Sequence, residues 1–200
     1  MSVAEDLFKS HYESISKYVD ILASTGVEWG LIGPREVDRL WERHILNSVA
    51  LADLIPLGSK VVDVGSGAGL PGIPLAILRP DLEMTLLEPL LRRSTFLTHS
   101  VDDLGITSTV RVVRDRAEDH AGWYDVVACR ALAPLDKLIG WCDPLRSPTG
   151  VILALKGRTA DDEVRGAGSV LRRHGLTASA LSVRASPTSD PTTVVRMAAA

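Results

Sequence analysis

Apolar residues recur at two different spacings along this chain, and the spacing changes near residue 57. Before it, Phe8, Tyr12, Ile15, Val19 and Leu22 follow one another at three- and four-residue intervals, and Val37, Leu40, Trp41, His44, Ser48, Leu51 and Ile55 do much the same. Such intervals put side chains on one stripe of a 3.6-residue helix, so the pattern predicts two amphipathic helices. Pro34 suits the first turn of the second, where its missing N–H costs nothing, and Glu36 and Asp38 complement the positive end of the helix dipole. After residue 57, short apolar runs alternate with helical stretches. The runs at 60–64, 84–88, 109–113, 124–129 and 151–156 are rich in Val, Leu and Ile, as strands covered on both faces are. Helical stretches lie between and after them at 71–78, 90–104, 135–145 and 161–174, and 177–183 and 192–197 add two last strands. Strand alternating with helix predicts parallel pairing through right-handed crossovers. The expected fold is therefore α/β and Rossmann-like: a mostly parallel seven-stranded sheet with helices on both faces. A helical extension over residues 1–56 precedes a core over 57–200, the two making one compact domain. Ligands of such sheets bind outside the carboxyl ends of the strands, which is where chemistry is to be sought.

Composition narrows the class without naming a function. Of the 200 residues, 46% are hydrophobic and 24% charged, enough to bury a core and unlike a disordered chain. The longest apolar stretches, such as residues 51–57, are interrupted by Asp53 or Pro56 and fall far short of a membrane span. Glu5 and Asp6 stand where a secretory signal needs basic residues, so the expected location is cytoplasmic. Cys129 and Cys142 form no CxxC or Cys/His cluster, so they are expected as reduced core thiols, with no disulfide framework and no metal. A net charge of -3 gives no global attraction to nucleic acid, so any such contact must be local. Arginine outnumbers lysine 17 to 5 and clusters at Arg92 with Arg93, from Arg111 to Arg116, and at Arg172 with Arg173. Each cluster taken singly reads as a solvated surface.

The strongest chemical signal is Val61-Val62-Asp63-Val64-Gly65-Ser66-Gly67-Ala68-Gly69-Leu70-Pro71-Gly72. A strand runs into glycines at alternate positions and then into a helix, so bare backbone lies at the sheet's carboxyl edge and admits a nucleoside. A dinucleotide loop has the order GxGxxG, but here Leu70 stands where the third glycine belongs, and the Lys and Ser/Thr of a P-loop are absent. Asp63 can accept from the turn's amides and from a ligand amine, which suits an amino-acid-bearing nucleoside better than a pyrophosphate. Glu88 ends the next strand, 19 residues after Gly69, where an acid can accept both ribose hydroxyls.

Several segments together are similar to the glucose-inhibited division protein B family, also called RsmG. They are Arg43-His44-Ile45-Leu46-Asn47-Ser48, residues 63–76 with their Gly-Leu-Pro-Gly-Ile-Pro run, Arg116-Ala117-Glu118, Cys129-Arg130-Ala131 and Ala154-Leu155-Lys156-Gly157. The similarity covers roughly residues 34–165. It implies a class I methyltransferase that carries a methyl group from S-adenosylmethionine to N7 of a guanine in a conserved loop of 16S ribosomal RNA, on naked RNA or a precursor of the small subunit. By that resemblance Gly65, Leu70, Ala117, Glu118 and Arg130 fall on cofactor positions, beside Asp63, Gly67, Gly69 and Glu88. The chain differs from the family's pattern at Asn47, often Asp, at Gly30, where an Asn-Leu-Thr-like segment is common, and at Arg92, frequently Lys.

The chemistry agrees with this class. Guanine N7 is a neutral in-plane lone pair, so its attack on a sulfonium methyl needs alignment and dryness rather than a base. The Asn/Asp-Pro-Pro-aromatic motif of amino-group methyltransferases is missing; Cys129-Arg130-Ala131-Leu132-Ala133-Pro134 follows the fourth strand instead. Cys129 reads as a buried hydrophobe rather than a nucleophile. Arg130 and Lys156 end the fourth and fifth strands, where anionic RNA needs positive groups, and with Arg116 and His44 they are the candidates to act on it. His44 equally fits a satisfied interface histidine, and Trp29, Trp41, Trp123 and Trp141 are expected in packing. A monomer is expected. Two other classes share these features: a small-molecule methyltransferase, and a non-catalytic RNA-binding factor on the same fold.

Overall fold

The computed structural model describes residues 2–200. The chain opens with α1 (Val3–Phe8), where Ser2 and Glu5 close a capping box, and α2 (Tyr12–Ile21), joined by a single 3-10 turn. Phe8, Ile15, Val19 and Leu22 of the predicted stripe are all buried. The second predicted helix is less regular. It runs as a 3-10 segment (Pro34–Arg39), a wide π-type segment (Leu40–Leu46) and a last turn, α3 (Asn47–Val49). Side chains there compete for backbone carbonyls: Asn47 Nδ2 donates to Arg43 O (3.0 Å) and Ser48 Oγ to His44 O (2.6 Å), contacts that bend helices. Tyr12 stacks on Trp41 with ring centroids 5.9 Å apart, tying the two segments together.

The sheet has the order β3-β2-β1-β4-β5-β7-β6. β1 (Lys60–Val64), β2 (Glu83–Leu87), β3 (Val110–Val113), β4 (Tyr124–Arg130) and β5 (Arg146–Lys156) pair in parallel. β7 (Thr192–Ala199) lies antiparallel between β5 and β6 (Leu176–Val183). The crossovers are α4 (Gly72–Leu78), α5 (Leu91–Leu104) and α6 (Leu135–Cys142), with α7 (Ala160–Gly166) and α8 (Gly168–Arg173) before β6. The predicted helix over 161–174 is broken at Ala167, between two glycines that each weaken a helix. The order reverses between β1 and β4, so a crevice opens at their carboxyl ends.

Period-2 alternation divides the strands between two cores. Val62, Val64, Val127 and Cys129 pack under α6 with Cys142, both cysteines being free and buried. Val61, Met84 and Leu86 pack on the other face with Phe96 of α5. That second core also takes Phe8, Ile15, Leu22, Leu40 and Ile45, so residues before and after position 57 share one interior. Trp123 departs from expectation: it is 72% exposed. It caps the amino-terminal side of β4, away from the crevice.

Tyr18 of α2 is fully buried and donates its hydroxyl to Ala68 O (2.7 Å), inside the glycine turn after β1. Tyr18→Phe keeps the ring and orphans a buried acceptor, which costs about 1–3 kcal/mol. Urea unfolding is expected to show a lower midpoint at unchanged slope; an unaltered midpoint would mean the bond adds nothing.

Candidate functional site

The site is built around the turn that follows β1. Gly65, Gly67 and Gly69 adopt φ of 70°, 58° and 96°, left-handed values that strain any other L-residue. Three neighbours hold the turn. Leu87 O of β2 accepts from Gly65 N (2.8 Å) and Ser66 N (3.2 Å), Glu88 Oε2 accepts from Gly67 N (3.0 Å), and Asp63 Oδ2 accepts from Gly72 N (3.0 Å). Glu88 Oε1 takes Leu90 N (3.0 Å), leaving further lone pairs toward an adjoining cleft of about 610 Å³. The glycines differ in what surrounds them. A Cβ at Gly69 would lie 2.5 Å from Ile73 Cδ1 and 2.9 Å from the Tyr18 hydroxyl, so its bare backbone serves close packing against the extension. A Cβ at Gly65 would meet Leu132 Cδ1 at 2.5 Å, on the cleft wall.

Clefts meet at Gly65 from three directions. One of about 350 Å³ lies between the turn and the extension, with Gly30, Leu70, Arg93 and Arg130 on its walls. The 610 Å³ cleft passes Glu88 and Arg116. A smaller one of about 170 Å³ is lined by Leu87, Pro89, Ala117, Glu118, Leu132 and Trp141, an apolar slot of the kind that takes a flat ring. The site residues Gly65, Gly67, Leu70, Glu88, Ala117, Glu118, Arg116 and Arg130 thus share one crevice, while Asp63 and Gly69 lie behind the turn and support it. Tyr18, Gly30 and Trp141 carry no sequence signal for a ligand; only the fold brings them here.

Arg130 ends β4 at the junction of this crevice with another cleft of about 640 Å³. Its guanidinium donates to His44 Nδ1 and to Arg43 O (3.3 Å), and Glu36 Oε2 lies 3.2 Å from His44 Nε2. An imidazole that accepts at Nδ1 is neutral with its proton at Nε2, aimed at Glu36. Burial, then the Arg130 charge, pushes the His44 pKa below its ordinary value and favours that form. Lys156 does not stand free as a strand-end cation. Its Nζ donates to Ala133 O (2.7 Å) and pairs with Glu163 Oε2 of α7 (2.7 Å), its side chain being 10% exposed. Among the described residues no cluster of His, Cys, Asp and Glu is arranged to hold a metal.

Asp63 is wholly buried, and its Oδ1 has no hydrogen-bond partner. Burial raises its pKa from 3.8 to about 7, against the opposing bond from Gly72 N–H.

A profile of the family described as GidB, rRNA small subunit methyltransferase G, matches residues 11–188. The ribosomal RNA small subunit methyltransferase G of Kineococcus radiotolerans is 50% identical over 96% of this chain and 77% of its own length. That of Streptomyces coelicolor is 52% identical over 97% and 82%. Solved structures share the fold: a precorrin-6y C5,15-methyltransferase from Geobacter metallireducens at TM-score 0.58 and 18% identity, covering 85% of this chain and 90% of that one. An S-adenosylmethionine-dependent methyltransferase from Aquifex aeolicus follows at 0.57 and 16%, covering 83% and 98%.

The Asp63 environment makes a signed prediction. A carboxyl whose pKa rises on folding adds stability that is fully present below pH 3.8 and lost as pH climbs through about 7. Asp63→Asn removes the ionisation. Wild type is expected to lose stability relative to the variant between pH 4 and 8, by up to roughly 4 kcal/mol. Parallel stability curves for the two proteins over that range would contradict the assignment.

Proposed function

The chain belongs to the rRNA small subunit methyltransferase G family, and from that premise we propose that it methylates N7 of a guanine in 16S ribosomal RNA with S-adenosylmethionine as donor. The observation that carries the reading is the meeting of the clefts at Gly65 and Arg130: one crevice with separate room for an amino-acid tail, a ribose and a flat ring opens beside a second cleft.

The residues present fit the donor. The apolar slot against Leu132 and Trp141 suits adenine, and Ala117 and Glu118 edge it. Glu88, 2% exposed and fixed by two backbone N–H groups, has lone pairs left for ribose hydroxyls. Gly65 and Gly67 keep side chains out of the space between, and Arg93 and Arg130 supply positive charge for a carboxylate tail. When bound, S-adenosylmethionine supplies an electrophilic methyl group on a sulfonium centre.

For this chain's own residues the task is positioning. An N7 lone pair carries no proton, so no side chain need remove one before attack, and alignment and exclusion of water are the contributions required. Arg130 walls both clefts, with His44 and the Arg43 carbonyl directing its guanidinium, and it can face the donor or a nucleotide phosphate. Arg116 and Arg93, both exposed at the crevice mouth, are placed to meet the RNA backbone.

Gly65→Ala tests the donor site. The added methyl strains a left-handed residue and drives Leu132 into the cleft, so calorimetry is expected to show donor affinity about tenfold weaker or worse, equivalent to about 1.4 kcal/mol, in a protein that still unfolds cooperatively. Unchanged affinity would remove the turn from the donor site. The reaction itself is tested by incubating the protein with labelled donor and RNA from cells lacking the enzyme. The product, 7-methylguanosine, makes the chain cleavable by borohydride and aniline, and one cleavage at one guanine is expected. Label confined to an exocyclic amine or a ribose would reject N7.

A further inference from the structure

The cleft of about 640 Å³ beyond Arg130 has one carboxylate on its walls, Glu163. A negative group in a cavity meant for part of an RNA works against binding through phosphates, so its presence asks for a reason. Partial neutralisation of Lys156 is one. The geometry points to another: Glu163 reads the Watson–Crick edge of the target guanine, with Lys156 as the residue that holds it in place. This rests on the function proposed above and names a specificity-determining residue of the same site.

Three observations support it. First, the carboxylate is fixed at one oxygen only. Oε2 receives Lys156 Nζ (2.7 Å) and Leu135 N (3.2 Å), whereas Oε1 has a single long contact with Thr159 Oγ1 (3.4 Å). The group is oriented yet keeps acceptor capacity, and with 26% of its side chain exposed it is within reach of a ligand. Second, guanine alone among the four RNA bases offers adjacent donors, N1–H and the N2 amino group, to a carboxylate. Lys156 spends one proton on Ala133 O and one on Glu163, so it has one left for an acceptor such as O6. Third, the arrangement suits methylation at N7. The donor edge of guanine lies at the far end of the six-membered ring from N7. A base with that edge at Glu163 therefore turns its five-membered ring back toward Arg130 and Ala131, which the cleft shares with the donor crevice.

The test compares substrate RNA carrying guanosine or inosine at the target position. Inosine keeps N7, O6 and N1–H and loses only the N2 amino group. Wild-type kcat/KM is expected to be about 10- to 100-fold lower for the inosine RNA, the range for losing one hydrogen bond to a charged acceptor. Glu163→Gln replaces one acceptor oxygen by a donor amide, so the guanosine-to-inosine ratio is expected to fall toward one while calorimetric donor affinity is retained. Equal wild-type rates on the two RNAs overturn the assignment with no variant needed, and full discrimination by a folded Glu163→Gln protein overturns it as well. A wild-type protein that forms no 7-methylguanosine on the guanosine RNA instead refutes the function on which it rests, and the assignment with it.

Discussion

The glycine turn after β1 is held in a backbone conformation it could not keep alone, and most of the site depends on that restraint. Three left-handed glycines in five residues leave the segment with large conformational freedom to lose on folding. Asp63 fixes its far end through Gly72, Glu88 its middle through Gly67, and Tyr18 fixes Ala68 from outside the sheet. These anchors come from β1, from the end of β2 and from α2. The turn is thus the point where the amino-terminal extension and the sheet become one structure.

The same restraint carries an electrostatic cost. Asp63 and Tyr18 are fully buried, and burial shifts each toward its neutral form. Arg130 nearby is disfavoured by burial, and its guanidinium is satisfied by the acceptors His44 Nδ1 and Arg43 O. Glu36 and His44 continue the pattern through the extension, so the guanidinium has a directed orientation. A charge held in that way costs little reorganisation when a ligand arrives, which is what a positioning enzyme requires. Lys156 with Glu163 repeats the device at the end of β5: a cation with only a tenth of its side chain exposed is compensated by an acid, and together they form a patterned surface rather than a simple positive one.

The extension's irregular second helix belongs to this design. Within its wide segment the Arg43 carbonyl accepts from the side chains of both Asn47 and Arg130, which ties that segment to the end of β4. The backbone departure therefore lies where the extension touches the strand end that carries Arg130.

The sequence by itself determined the sheet and the existence of the crevice. Apolar runs of five or six residues, alternating with helical spacing, are local signals, and all seven strands formed within a few residues of the predicted limits, β5 differing most because Tyr124 pairs with Arg146 across a bulge. The glycines and Glu88 were legible for the same reason: turn chemistry and an acid at a strand end are written within some twenty-five residues. Tertiary structure decided what required distant partners. No spacing rule says that Tyr18 donates to Ala68, 50 residues away, that Gly69 packs closely against Ile73 and Tyr18, or that His44 accepts from Arg130. Lys156 shows the difference most clearly. Its position at the end of β5 was a local property, but whether its charge stands free depended on α7 folding back to bring Glu163 within 2.7 Å. Local periodicity fixes where a side chain starts; the partner that sets its charge, and so its chemistry, comes from the packing of elements the pattern cannot order in space.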